Sequence, residues 1–595
     1  MSSSSPVDSF RGAAVLTLLG LLVLRWAVAL HSYSGEKRPP MYGDYEAQRH
    51  WMEVTHNLPV GEWYFNTTEN DLMYWGLDYP PLTAYHSKVC GFAASLIDKS
   101  FVALKASRGF ESYHHKLFMR WTVILSDLVV LIPSVWLYFA KRLWSADDAS
   151  LVWIFLVLSH PGLLLIDHGH FQYNGVSIGL TIAAVAALLR KRNLLCSALF
   201  VLALNFKQMS LYYALPFFFY LLGTSLQGGI ARGIPKVGAI GMVVLATFTI
   251  IWLPFVTQLS QLKQVLHRLF PIARGIFEDK VSNIWCALNV VYKIKNSFSN
   301  EDMAVVCLVS TLVVVIPSSL NLLFRPHPQK FVYSLINSSL AFFLFSFQVH
   351  EKSILLAAIP VSLILPTDPF ISMWFTAISS FSMLPLLLKD GLLIPTIALI
   401  LFHIVATTLM VNVLPSTREK SLIVSDQSSS ILWWWAAFFV SMIGCVILTL
   451  SSIFVKPPNN LPDLFPLLIS VYSCLHFIIF LLYFNYKQMS LPGVCLKSLS
   501  EKNLSQAQGA DILNKHAACD VHVTNSSIFF PEVVDESNGC GGQFSVTLVS
   551  DKFEGKSRLQ RHQLVHSILA EELKVIHAFS QKTLTPEQWE TQKTQ

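Results

Sequence analysis

Two aspartates in aromatic company are the residues of this sequence best suited to chemistry. Asp44 follows a glycine in Gly43-Asp44-Tyr45-Glu46-Ala47-Gln48-Arg49-His50-Trp51-Met52-Glu53, and Asp78 stands in Tyr74-Trp75-Gly76-Leu77-Asp78-Tyr79-Pro80-Pro81. A general base for a sugar hydroxyl is a carboxylate held within hydrogen-bond reach of the proton it takes. Asp44 lies just past a very apolar run, where a carboxylate is partly desolvated. Asp78 is held by a rigid corner, because each proline fixes its own φ and restricts the residue before it. A single loop aspartate more often caps a helix or forms a turn. Here Trp51, Trp75 and Tyr79 supply flat apolar faces on which sugar rings stack, and Glu46 and Arg49 are candidate substrate-binding groups beside them.

Further polar clusters recur at apolar boundaries: Asp167-His168-Gly169-His170-Phe171-Gln172-Tyr173-Asn174, the stretch His267-Arg268-Leu269-Phe270-Pro271 to Ala273-Arg274-Gly275, and Val349-His350-Glu351-Lys352-Ser353. Arg268, Arg274, His350 and Lys352 can hold a phosphate, arginine as a bidentate fork and lysine as a point charge, or can snorkel at a membrane interface. His168 and His170 are candidate substrate-binding groups. Two histidines at i, i+2 with no third partner in view bind metal less often than they hydrogen-bond, so no metal is expected in this part of the chain.

The elements that must position these residues are membrane helices. The chain is 53% hydrophobic and 13% charged, where soluble domains carry about 25% charged residues. Apolar runs of about 20 residues recur through most of it. The first, from Gly12 to Leu30, reads as an uncleaved span, and about fourteen spans are expected in all. Lys141-Arg142, Arg190-Lys191-Arg192, Arg232 with Lys236, Arg325 with Lys330 and Arg418 with Lys420 fall at alternate span ends, which the positive-inside rule makes cytoplasmic. Both termini are then cytoplasmic, and the loop 31–116 lies on the opposite, luminal side with the other clusters. Such convergence on one face argues for a site rather than a set of connectors. Nine scattered cysteines give neither a disulfide framework nor a zinc site. The net charge of +6 fits basic cytoplasmic flanks and not nucleic-acid binding.

Composition changes after Tyr486. Residues 491–520 read as a polar linker. From 521 to 595 a soluble α/β pattern follows: an alternating strand over Gln543–Val549, helical spacing from Arg558 to Leu573, and a short strand from Val575 to Ser580.

The quoted motifs, with Trp75-Gly76-Leu77-Asp78-Tyr79-Pro80-Pro81-Leu82-Thr83-Ala84, resemble the endoplasmic-reticulum dolichyl-phosphate-glucose α-1,3-glucosyltransferases over residues 10 to 490. Within that family the wording is closer to the enzyme that adds the first glucose to Man9GlcNAc2-diphosphodolichol than to the sister that adds the second. The resemblance implies an all-α polytopic GT-C fold in the endoplasmic-reticulum membrane. It also implies inverting, metal-independent and cofactor-free transfer from dolichyl phosphate β-glucose to a mannose hydroxyl. Asp44 would then be the general base, Asp78 would orient a substrate, and His350, Lys352 or Arg268 would steady the departing phosphate.

The tail, with Asn538-Gly539-Cys540-Gly541-Gly542, Asp551-Lys552-Phe553-Glu554-Gly555-Lys556 and Ile576-His577-Ala578-Phe579, resembles BolA domains. Those pair with monothiol glutaredoxins and share a [2Fe–2S] cluster, which makes Cys540 and His577 its implied ligands here. Two rival readings follow from the residues. A polytopic lipid or solute transporter predicts broken helices at the midplane and repeat symmetry, and neither is evident. The other makes the soluble module a tethered iron–sulfur adaptor.

Overall fold

The computed structural model describes residues 6–140, 148–270, 280–413, 429–491, 529–535, 543–568 and 578–593. The chain divides into two compact units, Met1–Val494 and Cys495–Gln595.

The first unit is helical among its described residues. Eight helices are long and apolar enough to cross a membrane, or nine when the bent pair Ser150–Leu158 and Pro161–Phe171 is one span. Their outer faces carry unpartnered apolar side chains, such as Met242, Leu245 and Ile250 on Ile230–Val256. Stripes of that size suit lipid and not water. Prolines 235, 254 and 317 lie inside these helices, which bundles tolerate because neighbouring groups satisfy the freed carbonyls. The other expected crossings correspond to the helices Asn174–Leu189, Pro328–Phe345, Leu355–Leu363 and Pro369–Ser382, which are largely or wholly buried, and to Asn193–Phe206, which is half-buried. Sheltered by protein rather than lipid, they need not match the thickness of the bilayer.

Some charged groups buried inside the bundle form ion pairs, which a low-dielectric medium favours. Arg25 of the first helix, Pro6–Ala29, donates from Nε to Asp127 Oδ2 at 2.7 Å, and His168 Nε2 lies 3.0 Å from the same oxygen. This ties three segments together through one carboxylate.

Outside the spans, residues 31–112 form an ordered connection built on the helices Asp44–Asn57 and Pro81–Ile97. Its internal glue is an ion cluster. Arg49 forks onto Glu46 (2.8 and 2.7 Å) and reaches Glu53 at 2.7 Å; Glu46 also accepts from Tyr74 Oη and the Gly109 amide, and Glu53 from the Lys105 amide. All three charged side chains are buried.

In the second unit, three strands form one sheet in the order β1 (Phe529–Asp535), β2 (Gln543–Val549), β3 (Ala578–Leu584). β1 and β2 are antiparallel and β2 and β3 parallel. The helix Arg558–Ile568 and a final helix Pro586–Lys593 accompany them. The expected strand over 543–549 is β2. β3 lies further along than the strand expected over 575–580, because its parallel pairing with β2 runs from Gln543↔Ala578 to Val549↔Leu584.

Candidate active site

Asp44 is the first residue of its helix, and Gly43 before it is required by space: a Cβ there would sit 2.4 Å from Ser34 Oγ. The Asp44 amide donates to that same Oγ at 3.2 Å. This clamp sets the carboxylate against two distant segments. Lys352 Nζ lies 2.5 Å from Asp44 Oδ2, His170 Nε2 lies 3.0 Å from it, and Gln172 Nε2 donates to it as well. All three partners meet Oδ2. Its side chain retains 24% of its accessible surface, so Oδ1 is the oxygen left to meet a ligand. Burial alone would raise the Asp44 carboxyl, but Lys352 and His170 outweigh it and hold the group well below the usual carboxylate range.

His170 and Gln172 come from the end of a π-helical turn, Leu165–Phe171, a local widening common at functional sites. Phe171 between them has φ +88°, Tyr42 ahead of Gly43 has φ +59°, and Gln348 ahead of His350 has φ +54°. Left-handed backbone at bulky residues costs of order 1–3 kcal/mol and persists where the surroundings over-determine it. Here it falls on three of the segments that meet at Asp44. The far nitrogen of His170, Nδ1, is 2.5 Å from Asp390 Oδ2. Gln172 passes the network on: its Oε1 accepts from Lys207 Nζ at 3.0 Å, and Lys207 also donates to Asn174 Oδ1 at 2.6 Å.

The Asp78 corner lies next to this cluster. Lys207 sits over the Tyr79 ring at 5.1 Å, and Trp51 packs on the other contact of that ring at 4.9 Å while donating Nε1–H to the Trp75 carbonyl at 2.8 Å. Arg268 closes the corner from outside: Nη2 donates to the Gly76 carbonyl at 2.7 Å and Nε to the Leu77 carbonyl at 3.1 Å. Gln208 adds a bond to the Asp78 carbonyl at 3.1 Å. Arg268→Ala removes two hydrogen bonds from a charged donor, each worth roughly 1.5–3 kcal/mol. The expected result is a loosened corner and a KM about tenfold higher with helicity unchanged, read by steady-state transfer kinetics and circular dichroism.

The structure thus brings together Asp44, His170 and Lys352, with Asp78, Tyr79, Trp51 and Trp75 alongside and His350 two residues from Lys352. It gives four expected ligand-binding residues other partners. Glu46 and Arg49 are buried against each other and hold the connection together. His168, two positions from His170 on a helical turn, points the opposite way, to Asp127. Arg268 spends hydrogen bonds on backbone carbonyls. Arg274, Cys540 and His577, and the linker, lie outside the described residues. Among the described residues no group of three or more His, Cys, Asp or Glu is arranged to hold a metal. Gln172, Lys207 and Asp390 are the site groups that the sequence reading left out. Lys207 carried a signal, a lone cation between two apolar runs, whereas Asp390 in Lys389-Asp390-Gly391 has the look of an ordinary turn.

A multi-span helical membrane protein with a tethered carboxylate and basic groups gathered at one end of the bundle is built as a membrane transferase is. The chain belongs to the ALG6, ALG8 glycosyltransferase family, whose model matches residues 21–483. A second model, BolA-like protein, matches residues 512–588. Among curated relatives, the dolichyl pyrophosphate Man9GlcNAc2 alpha-1,3-glucosyltransferase of Gallus gallus is 48% identical, covering 79% of this chain and 95% of its own length. The probable enzymes of that name from Dictyostelium discoideum and Arabidopsis thaliana are 46% and 42% identical, each covering 81% of this chain and 96% and 90% of their own lengths. Among solved structures, ArnT from Cupriavidus metallidurans bound to undecaprenyl phosphate aligns over 85% of this chain and 81% of its own, with a TM-score of 0.35 at 14% identity.

Proposed function

We propose that the chain adds the first α-1,3-linked glucose to Man9GlcNAc2-PP-dolichol, using dolichyl phosphate β-glucose as donor, at the luminal face of the endoplasmic-reticulum membrane. The observation that carries this reading is the state of Asp44: one oxygen saturated by Lys352, His170 and Gln172, the other left open. Asp44 Oδ1 takes the proton of the acceptor hydroxyl. The hydroxyl oxygen attacks C1 of the glucose from the face opposite the phosphate, and the C1–O bond breaks with its electron pair leaving on the lipid phosphate. Inversion of a β-linked donor gives an α product. A phosphate leaves as an anion and needs no acid, so Lys352 serves it by charge and His350 as a hydrogen-bond donor. Asp78, Trp51, Trp75 and Tyr79 form the sugar-binding wall.

The transferase occupies residues 1–490 with both termini cytoplasmic, and residues 521–595 form the BolA-like module beyond a 491–520 linker. That module's chemistry suits a [2Fe–2S] cluster shared with a monothiol glutaredoxin through Cys540 and His577.

The test is transfer of labelled glucose from dolichyl phosphate glucose by the purified full chain, beside residues 1–490. The expected result is one glucose added to Man9GlcNAc2-PP-dolichol by both. Transfer only to an acceptor already carrying one glucose would assign the sister reaction instead. No transfer to either acceptor by an intact full chain would end the reading.

A further inference from the structure

Every partner of Asp44 but one has a reason to be where it is. Gln172 is anchored by Lys207, and Lys352 reaches Asp44 directly from its own turn. His170 is different, because an imidazole can rotate and can carry its proton on either nitrogen. Here each ring nitrogen faces a carboxylate oxygen, so both carry a proton and donate, and the bond at one nitrogen fixes where the other points.

Asp390 makes that other bond. It lies 220 residues from His170 in sequence, and its Oδ2 is 2.5 Å from Nδ1. Its side chain is only 5% exposed and that of His170 2%, so water does not compete for either atom. Asp390 is itself fixed from behind: Ser32 Oγ donates to its main-chain carbonyl, and Ser32 lies two residues from the Ser34 that clamps Asp44. The Ser34 amide in turn donates to the His170 carbonyl at 3.1 Å. Asp390, His170 and Asp44 are therefore joined through side chains and also through the short backbone segment 32–34. The charged groups that face His170 are Asp44, Asp390 and Lys352.

We propose that Asp390 is a positioning residue for the transfer reaction: by accepting from His170 Nδ1–H it orients the doubly protonated ring so that Nε2–H donates to Asp44 Oδ2, which leaves Oδ1 as the oxygen presented to the acceptor hydroxyl. This rests on the reading of Asp44 as the base. Asp390 touches no substrate and acts only through His170. Without it the imidazole is free to rotate, Oδ2 loses a partner, and the base presents two inequivalent orientations instead of one. The reacting atoms remain the same and fewer encounters are productive, so kcat falls while KM holds.

The experiment measures kcat and KM of the full chain with Asp390→Ala, His170→Ala and the double variant, with Asp44→Asn as the reference for loss of the base. Positioned acid–base groups contribute roughly 10²–10⁴-fold, and loss of their support is expected to lower kcat by about 10- to 100-fold. KM should stay within about twofold, since substrate binding is untouched. On the His170→Ala background, Asp390→Ala should cost nothing further, because a residue that acts through His170 has nothing left to act on. Asp390→Asn, which keeps an acceptor oxygen without the charge, should fall between wild type and Asp390→Ala and provides a folded variant if alanine is not tolerated. A wild-type kcat in Asp390→Ala, a full additional loss in the double variant, or a rise in KM accompanied by a matching fall in melting temperature would each overturn the proposal. If instead Asp44→Asn stays active, the base assignment fails and not merely its positioning.

Discussion

Asp44→Asn is expected to cut glucose transfer by at least about 100-fold, the lower end of what a positioned general base supplies. Asparagine keeps the shape of the side chain and one carbonyl oxygen for Lys352 and His170, so the helix Asp44–Asn57 should remain in place and donor binding should survive. Its amide has no basicity for the hydroxyl proton. The measurement is kcat at saturating donor, with thermal unfolding in the same detergent to show that the variant is folded. The pH dependence carries a sign. Lys352 and His170 outweigh burial and keep the Asp44 carboxyl well below its usual range. The wild-type base is then ionised throughout the neutral region and down past the pH at which ordinary carboxylates protonate, and an acid limb in the rate profile near neutrality must belong to another group. Activity of Asp44→Asn within a few-fold of wild type would remove Asp44 as the base.

Arg49→Met is expected to be among the most destabilising single changes outside the spans. The guanidinium is fully buried and compensates two carboxylates, Glu46 and Glu53, which would be left without it in a site closed to water. Breaking a buried pair by removing one partner costs roughly 3–5 kcal/mol. The readout is the unfolding midpoint in detergent, expected to drop by several degrees, with loss of activity following from the collapse of the connection rather than from any contact with substrate. Burial opposes ionisation of Glu53, yet the bond to His50 and the charge of Arg49 prevail and bring it down to about 2 from an ordinary 4.5. A carboxyl lowered on folding contributes stability that is complete above its unfolded value and is lost as the pH falls through its folded value. For Glu53 that loss falls between about pH 4.5 and 2, and the variant should lose the part of that acid sensitivity that the charge of Arg49 supplies. An unchanged midpoint in Arg49→Met would show that the cluster contributes nothing net.

These two changes separate what was legible in the sequence from what was not. Apolar runs announced a membrane bundle because nothing else explains 20-residue stretches almost free of charge. The convergence of Asp44, His170 and Lys352 was legible because alternating basic flanks put their segments on one side. The division of labour within the segments was not. Glu46 and Arg49 look like Asp44 in a one-dimensional reading, polar residues in one short stretch, but helical spacing turns them inward, where three charges satisfy each other. His168 and His170 are neighbours in sequence and opposite in direction. Asp390 needed three dimensions, since nothing in a Lys-Asp-Gly turn says that a histidine 220 residues away will meet it. Lengths of individual helices were the other loss: a short apolar helix sheltered by its neighbours and a spanning one have the same composition.

The bond between Asp44 and Lys352 joins residues 308 positions apart. Synthesis runs from the amino terminus at about 5–20 residues per second, so roughly 15–60 seconds pass between the emergence of the two. For all of that interval a growing chain carries its aspartate without the lysine that pairs with it, and the segment with Asp390 emerges later still. If Asp44 is the base proposed above, a chain truncated anywhere before the segment 350–390 carries it without Lys352 and is expected to be inert, which a glucose-transfer assay on such a chain would check.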